Sequence, residues 1–279
     1  MLTQLPTLGV GMGFRESYLS DLFLHRQDVD FLEITADHYM DIGIEKQKEL
    51  DLLASHFTLI PHGLNLSLGS AEGLDASYAR KLAHLIQRLN PPWWSEHIAF
   101  TRAGGVEIGH LSPVPFTYEA IEVIVRNIAK MRHYINIDVP LILENITYMV
   151  EMSGAEMNEA QFLTELLERT DCGLLLDVTN LYTNAINHGY DLQAMVEQLP
   201  LERVVQLHFA GGFWHEGVLI DSHSHSTAPE VWNLMDEIIA RAPVKGIILE
   251  RDEELPPFAE LREEMQRARD IGRRLRRWV

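Results

Sequence analysis

The sequence predicts one domain over residues 1–279, folded as a (β/α)8 barrel of the TIM type. Eight short segments rich in Val, Ile, Leu and Phe recur along the chain, and segments with helical periodicity lie between them. Parallel strands need crossover connections of this kind, and eight such units indicate that the sheet closes into a barrel. A length of 279 residues is typical of one barrel domain. An open, doubly wound parallel sheet is the alternative fold.

The predicted strands and helices alternate from one end of the sequence to the other. Short apolar runs predict strands at residues 8–14, 31–35, 59–66, 94–100, 141–146, 174–178, 204–210 and 246–250. Apolar residues three and four apart predict helices at residues 17–25, 44–55, 76–89, 118–133, 159–168, 229–240 and 258–276. Ser17, Thr117 and Pro229 stand where helices are expected to begin.

The composition disfavours some classes of binding partner and some cellular compartments. The formal net charge is −18, which disfavours a nucleic-acid partner because the chain repels a phosphate backbone. No apolar stretch has the length that a membrane span needs, and residues 1–15 lack the pattern of a signal peptide. The single cysteine, Cys172, excludes an intrachain disulfide and a thiolate metal cluster. We therefore expect a cytoplasmic protein with Cys172 packed in the core.

Six consecutive predicted strands each carry a histidine or acidic residue that follows an apolar run and precedes a loop. They are His62, His97, Glu144, Asp177, His208 and Glu250. Burying one such side chain without a partner is costly, and each histidine taken alone is more often a hydrogen-bonded core residue. In a barrel the carboxyl ends of the strands converge on one bowl, where three imidazoles and three carboxylates can share cations. The joint pattern therefore predicts a metal cluster at that end of the barrel.

Further donor-type residues follow the sixth and seventh strands. Asp221 and His223 are two residues apart, so in an extended segment their side chains lie on the same side. Asn180 follows Asp177 by about one helical turn and is expected to reach the same bowl through its amide oxygen. His188 is open to two interpretations, a metal ligand or a histidine in a surface loop.

Several other residues are expected around the mouth of the bowl. Glu33, Asp37 and His38 end the second strand and are predicted to line the mouth without binding a metal directly. Residues 103–116 are predicted to form a flap, since the loops that follow barrel strands build the active site. The residues expected to orient the ligands through hydrogen bonds are Glu96, Asn145 and Asn65.

Ten segments spread over nearly the whole chain resemble one known family, the multinuclear non-haem iron-dependent oxidative enzymes. This family lies within the xylose-isomerase-like barrel superfamily, and its members include the oxygenase of methanobactin biosynthesis. The matching segments are GVGMGFR (9–15), FLEITADHY (31–39), PHGLNLSLGS (61–70), SEHIAF (95–100), LENITY (143–148), LLLDVTNLYTNAINHGYD (174–191), LHFAGG (207–212), DSHSH (221–225), VWNL (231–234) and ILERD (248–252).

The resemblance implies three metal positions and a set of catalytic residues. It assigns His62, His97 and Glu144 to one ion, Glu144, Asp177, His208 and Glu250 to a second, and Asp221, His223 and Asn180, with His188, to a third. Glu144 then bridges two ions, and Glu144, Asp177 and Asp221 are the expected catalytic residues. The implied cofactor is two to three iron ions, Fe2+ or Fe3+. A mixed imidazole and carboxylate set also suits zinc or manganese, so the ligand types alone do not choose the metal.

The resemblance also implies the reaction and the partners. Iron and dioxygen would oxidise a cysteine residue in a ribosomally synthesised precursor peptide, and a second protein would recognise the leader of that peptide. Two other hypotheses remain open. One is a divalent-metal-dependent hydrolase or isomerase, such as an endonuclease IV-type or sugar isomerase barrel; the nuclease type has a histidine where this chain has Asn180. The other is a barrel that binds metal without catalysis.

Overall fold

The structure is a computed structural model that describes residues 2–135 and 137–278. The strands, in chain order, are β1 (Gly9–Gly13), β2 (Phe31–Thr35), β3 (Thr58–Gly63), β4 (Trp94–His97), β5 (Ala99–Ala103), β6 (Val106–Pro113), β7 (Leu141–Glu144), β8 (Gly173–Asp177), β9 (Val204–Phe209), β10 (Gly211–His215), β11 (Val218–His225) and β12 (Gly246–Leu249). Eight of these strands pair in parallel and close a barrel in the order β1-β12-β9-β8-β7-β4-β3-β2. The predicted barrel is confirmed, and the open sheet is wrong.

Helices connect the barrel strands and cover the outside of the sheet. They are α1 (Leu19–Leu24), α2 (Ile44–His56), α3 (Ala76–Leu89), α4 (Tyr118–Tyr134), α5 (Glu159–Thr170), α6 (Val178–His188), α7 (Leu192–Gln198), α8 (Pro229–Arg241) and α9 (Phe258–Arg274). The sequence pattern missed α6 and α7, because α6 follows β8 without an intervening loop and α7 has only seven residues. None of the helices in the described residues combines the length and apolarity needed to cross a bilayer.

Two antiparallel hairpins extend from the carboxyl-terminal ends of barrel strands. β5 pairs with β6 after β4, and β10 pairs with β11 after β9. The prediction of a single strand over residues 94–100 is therefore wrong: β4 ends at His97 and the hairpin starts at Ala99. The predicted flap, residues 103–116, is largely the β6 strand of that hairpin. Gly211 begins the second hairpin, and a Cβ there would lie 2.1 Å from the carbonyl oxygen of His225, so only glycine allows this close approach.

The barrel interior is apolar at its centre and polar toward its carboxyl-terminal end. A separate apolar cluster contains one buried side chain from each of several strands, including Phe31, Ile60 and Leu175. Trp93 of this cluster donates its indole N–H to Oε1 of Gln206 at 2.8 Å, which begins the polar part of the interior. The larger apolar core packs between the strands and the helices. The polar side chains described below therefore pack against this apolar cluster.

Strand register brings the histidine and carboxylate positions to the same level of the barrel. His97 pairs with Glu144 across β4 and β7, and Asp177 pairs with His208 across β8 and β9. Neighbouring strands are about 4.8 Å apart, so side chains that share a register position and a face lie within reach of one another. The convergence predicted from the six strand ends is thus built into the hydrogen-bond ladder of the sheet.

Candidate metal centre

The six residues predicted from the strand ends converge in two overlapping groups at the carboxyl-terminal end of the barrel. His62, His97 and Glu144 form one group, and within it the donor atoms all lie within 4.8 Å of one another. The second group, under the same distance limit, consists of Glu144, Asp177, His208 and Glu250. All of these side chains are buried or nearly so. Glu144 belongs to both groups, which is the geometry expected of a carboxylate shared by two cations.

Glu144 lies at the centre of the cluster, between three imidazoles. Its Oε2 is 3.2 Å from Nε2 of His62 and 3.1 Å from Nε2 of His97. Its Oε1 is 3.0 Å from Nδ1 of His208. Donor atoms that are each about 2.1 Å from one cation and at right angles to one another lie about 3.0 Å apart. The spacing around Glu144 therefore suits ligands of common metal ions.

The far nitrogen of each imidazole in the first group is held by a hydrogen-bonding partner. Nδ1 of His62 is 2.7 Å from Oγ of Ser95. Nδ1 of His97 is 3.0 Å from the carbonyl oxygen of Gly63, and because a carbonyl only accepts, Nδ1 is the donor. A Cβ on Gly63 would lie 2.4 Å from Oε2 of Glu96, so a larger residue here would displace that carboxylate. Fixing Nδ1 in this way aims Nε2 of both rings at Glu144, as is usual for metal-binding histidines.

The second group is organised by the start of α6 and by β9. Asp177 caps α6: its Oδ1 accepts from the backbone N–H of Asn180 at 2.7 Å. The other oxygen, Oδ2, is buried and has no hydrogen bond within the described residues. Glu250, just after β12, places Oε2 3.3 Å from Nδ1 of His208. Asn145, predicted to orient ligands, bonds the backbone of Asp177 through both its side-chain oxygen and its side-chain nitrogen.

A buried glutamate that the sequence analysis placed at the mouth lies instead beneath His208. Oε1 of Glu33 is 2.9 Å from Nε2 of His208, and its Oε2 accepts from Nε2 of Gln206 at 2.6 Å. Glu33 is 3 % exposed, so it contributes to the floor of the cluster. The sequence feature that indicates burial of Glu33 is its position between two apolar residues inside β2. Its partners cannot be predicted from the local sequence, because they are more than 170 residues away.

Asp221, His223 and Asn180 form a third set of donors at the edge of the bowl. Oδ1 of Asp221 is 3.0 Å from Nε2 of His223, in agreement with the prediction that both side chains face one way along β11. Thr147 joins this set, since its Oγ1 is 2.5 Å from Oδ1 of Asn180 and 3.0 Å from Oδ2 of Asp221. The backbone of His223 has φ of +51°, in the left-handed region that costs a non-glycine residue energy.

His188 occupies a different environment from the other predicted ligands. It ends α6, and its Nε2 is 2.8 Å from the carbonyl oxygen of Tyr148. Its ring stacks between Tyr148, with ring centroids 4.7 Å apart, and Tyr190, with centroids 5.7 Å apart. His188 does not belong to the described lining of the bowl, which includes seven of the other predicted ligands: His62, His97, Glu144, Asn180, Asp221, His223 and Glu250. Its assignment as a ligand stays a prediction.

The buried charges of the cluster strongly perturb one another's pKa values. Burial and the neighbouring carboxylates of Asp221 and Glu250 raise the pKa of Asp177 to about 8. Burial alone would lower the pKa of His97, but the carboxylates of Glu144 and Glu96 outweigh it and raise that pKa to about 9. Perturbed groups of this kind concentrate at functional sites. Bound cations would neutralise the repulsion between these crowded carboxylates.

Several buried polar atoms of the cluster form no hydrogen bond with the described residues. They are Oε2 of Glu144, Oδ2 of Asp177, Oδ1 of Asp221 and Nε2 of His223. Buried polar atoms are rarely left without partners, because each unsatisfied group costs about 1–3 kcal/mol. Four such atoms in one place, all of them oxygen or imidazole donors, fit coordination to metal ions.

The cluster opens into a bowl of about 420 Å³. His38, Leu64 and Leu111 line it above the metal-type donors, and Leu111 belongs to the β5–β6 hairpin, as predicted for a flap. Arg15 also lines the bowl and pairs with Asp252. The bowl has room for one or two residues of a peptide or for a small molecule.

Comparison with known proteins decides the family. A sequence model described as "RiPP precursor modification enzyme MbnB/TglH/ChrH", where RiPP denotes a ribosomally synthesised and post-translationally modified peptide, matches residues 9–273. The chain belongs to this family. Membership confirms the resemblance drawn from the ten sequence segments, and it makes an enzyme that modifies precursor peptides the family-level description.

Two curated relatives align with this chain over most of its length. A "UPF0276 protein" of Streptomyces avermitilis is 38% identical over 271 residues, covering 95% of this chain and 55% of the relative. This chain thus spans about half the length of that relative. A "UPF0276 protein" of Rhizorhabdus wittichii is 36% identical over 265 residues, covering 94% of each chain.

Solved structures with the same fold have little sequence in common with this family member. A D-psicose 3-epimerase from Clostridium cellulolyticum aligns with a TM-score of 0.64 at 12% identity, covering 96% of this chain and 99% of the epimerase. A xylose isomerase domain protein from Alicyclobacillus acidocaldarius aligns with a TM-score of 0.55 at 16% identity, covering 96% of this chain and 97% of the other. These likenesses show a (β/α)8 barrel fold and nothing about the reaction.

Proposed function

We propose that this protein is an iron- and dioxygen-dependent enzyme that oxidises cysteine residues in a ribosomally synthesised precursor peptide. The observation that carries the proposal is the sharing of Glu144 between two groups of buried donors at the carboxyl-terminal end of the barrel. Two metal ions held side by side by one carboxylate suit a reaction that passes more than one electron. Membership of the peptide-modifying family supplies the substrate class.

Iron fits the donors of the cluster. Imidazole nitrogens and carboxylate oxygens suit iron, manganese and zinc. Within this proposal His62 and His97 hold one ion, Asp177, His208 and Glu250 hold the second, and Glu144 is shared. Asp221, His223 and Asn180 hold a third ion at the edge of the bowl, which is where the substrate enters. The proposed catalytic residues are Glu144, Asp177 and Asp221.

Bound iron would allow dioxygen to oxidise the cysteine. The protein's own residues would position the peptide and keep water away from the site. The donor atoms at the base of the bowl are almost inaccessible to solvent, and Leu64 and Leu111 present apolar surface above them. An apolar rim limits the water that reaches a bound thiolate. Arg15 is the cationic side chain that lines the bowl, and its contact with Asp252 fixes it beside the entrance. We assign it the role of binding a carbonyl oxygen of the peptide.

We further propose that a separate protein binds the leader of the precursor peptide and delivers the cysteine to the bowl. The support for this proposal is the family resemblance of the sequence. An enzyme of this kind, supplied with a peptide that lacks its leader, should turn it over slowly even at high concentration. Adding the leader-binding partner together with the full precursor should restore the rate.

The test is a single-turnover experiment with and without oxygen. The protein is purified without oxygen from iron-supplemented cells, its iron is counted and examined by Mössbauer spectroscopy, and it is mixed with the precursor peptide and the partner protein. We expect two to three irons per chain, partly as a coupled ferrous–ferric pair, and a mass change confined to a cysteine of the peptide. The controls are a cysteine-to-serine peptide and the Glu144→Gln variant, both of which should show no mass change.

The outcomes separate the competing functions. Turnover of a sugar or a phosphodiester with manganese or zinc in the absence of oxygen would favour a hydrolase or isomerase instead. Stable binding of metal with no change in any peptide, whether or not oxygen and the partner are present, would favour a barrel that binds metal without catalysis. Consumption of oxygen that depends on the cysteine of the peptide would exclude both.

A further inference from the structure

A second cavity lies beside the bowl and is not used in the proposed reaction. This side cavity has a volume of about 330 Å³ and lies between the segment that follows β7 and the helices α5 and α7. Its walls are mainly apolar and aromatic, with Phe116, Tyr148, Tyr190 and Met195 among them. Its rim includes Val150, which is 67% exposed to solvent. Met152 also lines the side cavity and is 41% exposed. Neighbouring apolar side chains exposed at a cavity are typical of a surface that a ligand covers.

The charged residues of the side cavity are all acidic. Glu151, Glu159 and Asp191 line it, and its described lining includes no lysine, arginine or histidine. Asp191 is already used as the N-cap of α7, where its Oδ1 accepts from the backbone N–H of Ala194. Glu151 and Glu159 are therefore the two carboxylates available to a ligand.

Glu159 is the more informative of the two, because it is a buried carboxyl that forms no salt bridge among the described residues. It is 5% exposed, and its contact with another side chain is a long hydrogen bond of 3.3 Å from the hydroxyl of Tyr148 to Oε2. Burial raises the pKa of Glu159 to about 7, even though the hydrogen bond from Tyr148 lowers it. Carboxyls are seldom buried unless a cation or several donors accompany them. The position of Glu159 on the cavity wall supplies a place for that missing cation.

A row of polar contacts links the aromatic walls to the two carboxylates. Tyr148 contacts Glu159, the hydroxyls of Tyr148 and Tyr190 contact each other, and Tyr190 donates to Oε1 of Glu151 at 2.6 Å. His188 stacks against both tyrosine rings and holds them in place. Aromatic faces and carboxylates together attract a cation that is attached to an apolar stem.

The side cavity is one or two residues away from the bowl along two separate elements. Thr147 lines the bowl, and the next residue, Tyr148, lines the side cavity. On β6, Leu111 lines the bowl and Pro113 lines the side cavity. Neighbouring residues of the chain therefore line both cavities, which places the side cavity next to the bowl.

We propose that the side cavity binds a lysine or arginine side chain of the precursor peptide, within a few residues of the cysteine held in the bowl. This inference rests on the proposed function for the identity of the peptide. The aliphatic stem packs against Phe116, Met195 and the tyrosine rings, and the cationic end reaches Glu159 and Glu151. A neutral aliphatic side chain would fill the same space but leave Glu159 without a counter-ion, so the acidic lining selects a basic residue.

The experiment measures binding of peptides that cannot react. A set of fluorescent precursor peptides, each with its leader, carries serine in place of the cysteine and, at each of the three positions on either side, lysine, norleucine or glutamate in turn. Binding to the iron-loaded protein together with its leader-binding partner is followed by fluorescence anisotropy. We expect one position at which lysine binds about tenfold more tightly than norleucine, with glutamate weaker than both.

Two variants and one control locate the effect. Glu159→Gln should abolish the preference for lysine while keeping the affinity for norleucine, because the amide has the same shape and no charge. Ala194→Phe places bulk at the exposed rim of the side cavity and should weaken both peptides. Glu168→Gln, a change at an exposed position of the same helix α5, should behave as wild type. Equal affinity for lysine and norleucine at every position, failure of all the peptides to bind, or a preference that survives Glu159→Gln would overturn the proposal.

The outcomes also separate this inference from the proposed function. If cysteine peptides are oxidised but no lysine preference appears, the side-cavity proposal fails and the enzyme assignment stands. If the lysine preference and its loss in Glu159→Gln are found but no cysteine peptide is oxidised, the side cavity remains a binding site and the oxidative function fails.

Discussion

Glu33 and His208 contact each other inside the barrel, with Oε1 of the carboxylate 2.9 Å from Nε2 of the imidazole. The two residues lie on β2 and β9, which are not neighbours in the barrel, so the contact crosses its interior. A carboxylate only accepts, so Nε2 of His208 is the donor, and Nδ1 faces Glu144 and Glu250. This is the arrangement in which a carboxylate fixes the tautomer of a metal-binding histidine.

Replacing Glu33 should weaken metal binding without touching a proposed ligand. Glu33→Gln keeps the shape of the side chain but loses the charge that holds the N–H of His208. We expect the affinity for one ion to fall by about tenfold or more, measured by competition with a chromophoric chelator. Glu107→Gln, at an exposed position of β6, is the matched control. Unchanged affinity in Glu33→Gln would mean that the contact does not position His208.

Glu144 should matter for more than one ion, whereas His97 should matter for one. Glu144 belongs to both groups of donors, and His97 belongs only to the first. Glu144→Gln is therefore expected to lose about two ions per chain and His97→Ala about one, counted by elemental analysis after gel filtration. Circular dichroism checks that both variants are folded. The same loss in both variants would contradict the bridging role of Glu144.

Thr147 should control the outermost set of donors. Its hydroxyl has one proton and faces two acceptors, Oδ1 of Asn180 and Oδ2 of Asp221. Thr147→Val removes the hydroxyl and should weaken the outer ion by about tenfold while the inner ions stay bound. Thr147→Ser keeps the hydroxyl and should retain all of them. A stepwise chelator titration with a normal outer step in Thr147→Val would refute this role.

His188 offers a direct test between two interpretations of one residue. The stacking with Tyr148 and Tyr190 and the contact with the Tyr148 carbonyl predict a stabilising role. His188→Ala should lower the free energy of unfolding by about 1–2 kcal/mol, measured by urea denaturation, with the metal content unchanged. If instead one ion is lost and stability is kept, His188 is a ligand, as the family resemblance implies.

Glu159 should make the stability of the protein fall as the pH rises. Its pKa is about 7 in the folded state and near 4.5 when exposed, because burial disfavours the charge. A carboxyl with a raised folded pKa keeps its proton better in the native state, so its contribution to stability is complete below pH 4.5. That contribution is lost between pH 4.5 and 7. Relative to wild type, Glu159→Gln should gain up to about 3 kcal/mol over this interval, followed by urea denaturation at each pH; a constant difference would be contrary to expectation.

The barrel and the six inner donors were predictable from local sequence pattern. A strand buried on both faces is almost continuously apolar, so a single His62 or Asp177 near its end stands out. The parallel strands of a barrel all end on the same side, so polar residues near the strand ends are expected to lie together. This expectation requires no knowledge of any long-range contact. The pattern therefore contains the site as well as the fold.

Other parts of the site depend on contacts that no local pattern contains. Ser95 holds His62, and Thr147 joins Asn180 to Asp221, because strand register and loop path bring them together. The sequence pattern joins the start of the β5–β6 hairpin to β4, because no glycine or proline marks the break at Ile98. Cytoplasmic location, iron and a leader-binding partner remain predictions that need their own experiments.

Asp221 and His223 lie on the β10–β11 hairpin, whose strands pair only with each other in the described chain, while the inner donors lie on or directly after barrel strands. A hairpin of this kind can swing outward by local opening, without breaking the ladder between barrel strands. Donors on the barrel separate only when a much larger part of the molecule unfolds. Ions held by the two kinds of donor should therefore differ in residence time. The outer ion should exchange with ions in solution, whereas the inner pair should stay bound until the barrel unfolds. The resting enzyme would then hold two kinetically inert ions and a labile third ion. The position of the third ion would be open to coordination by an arriving substrate.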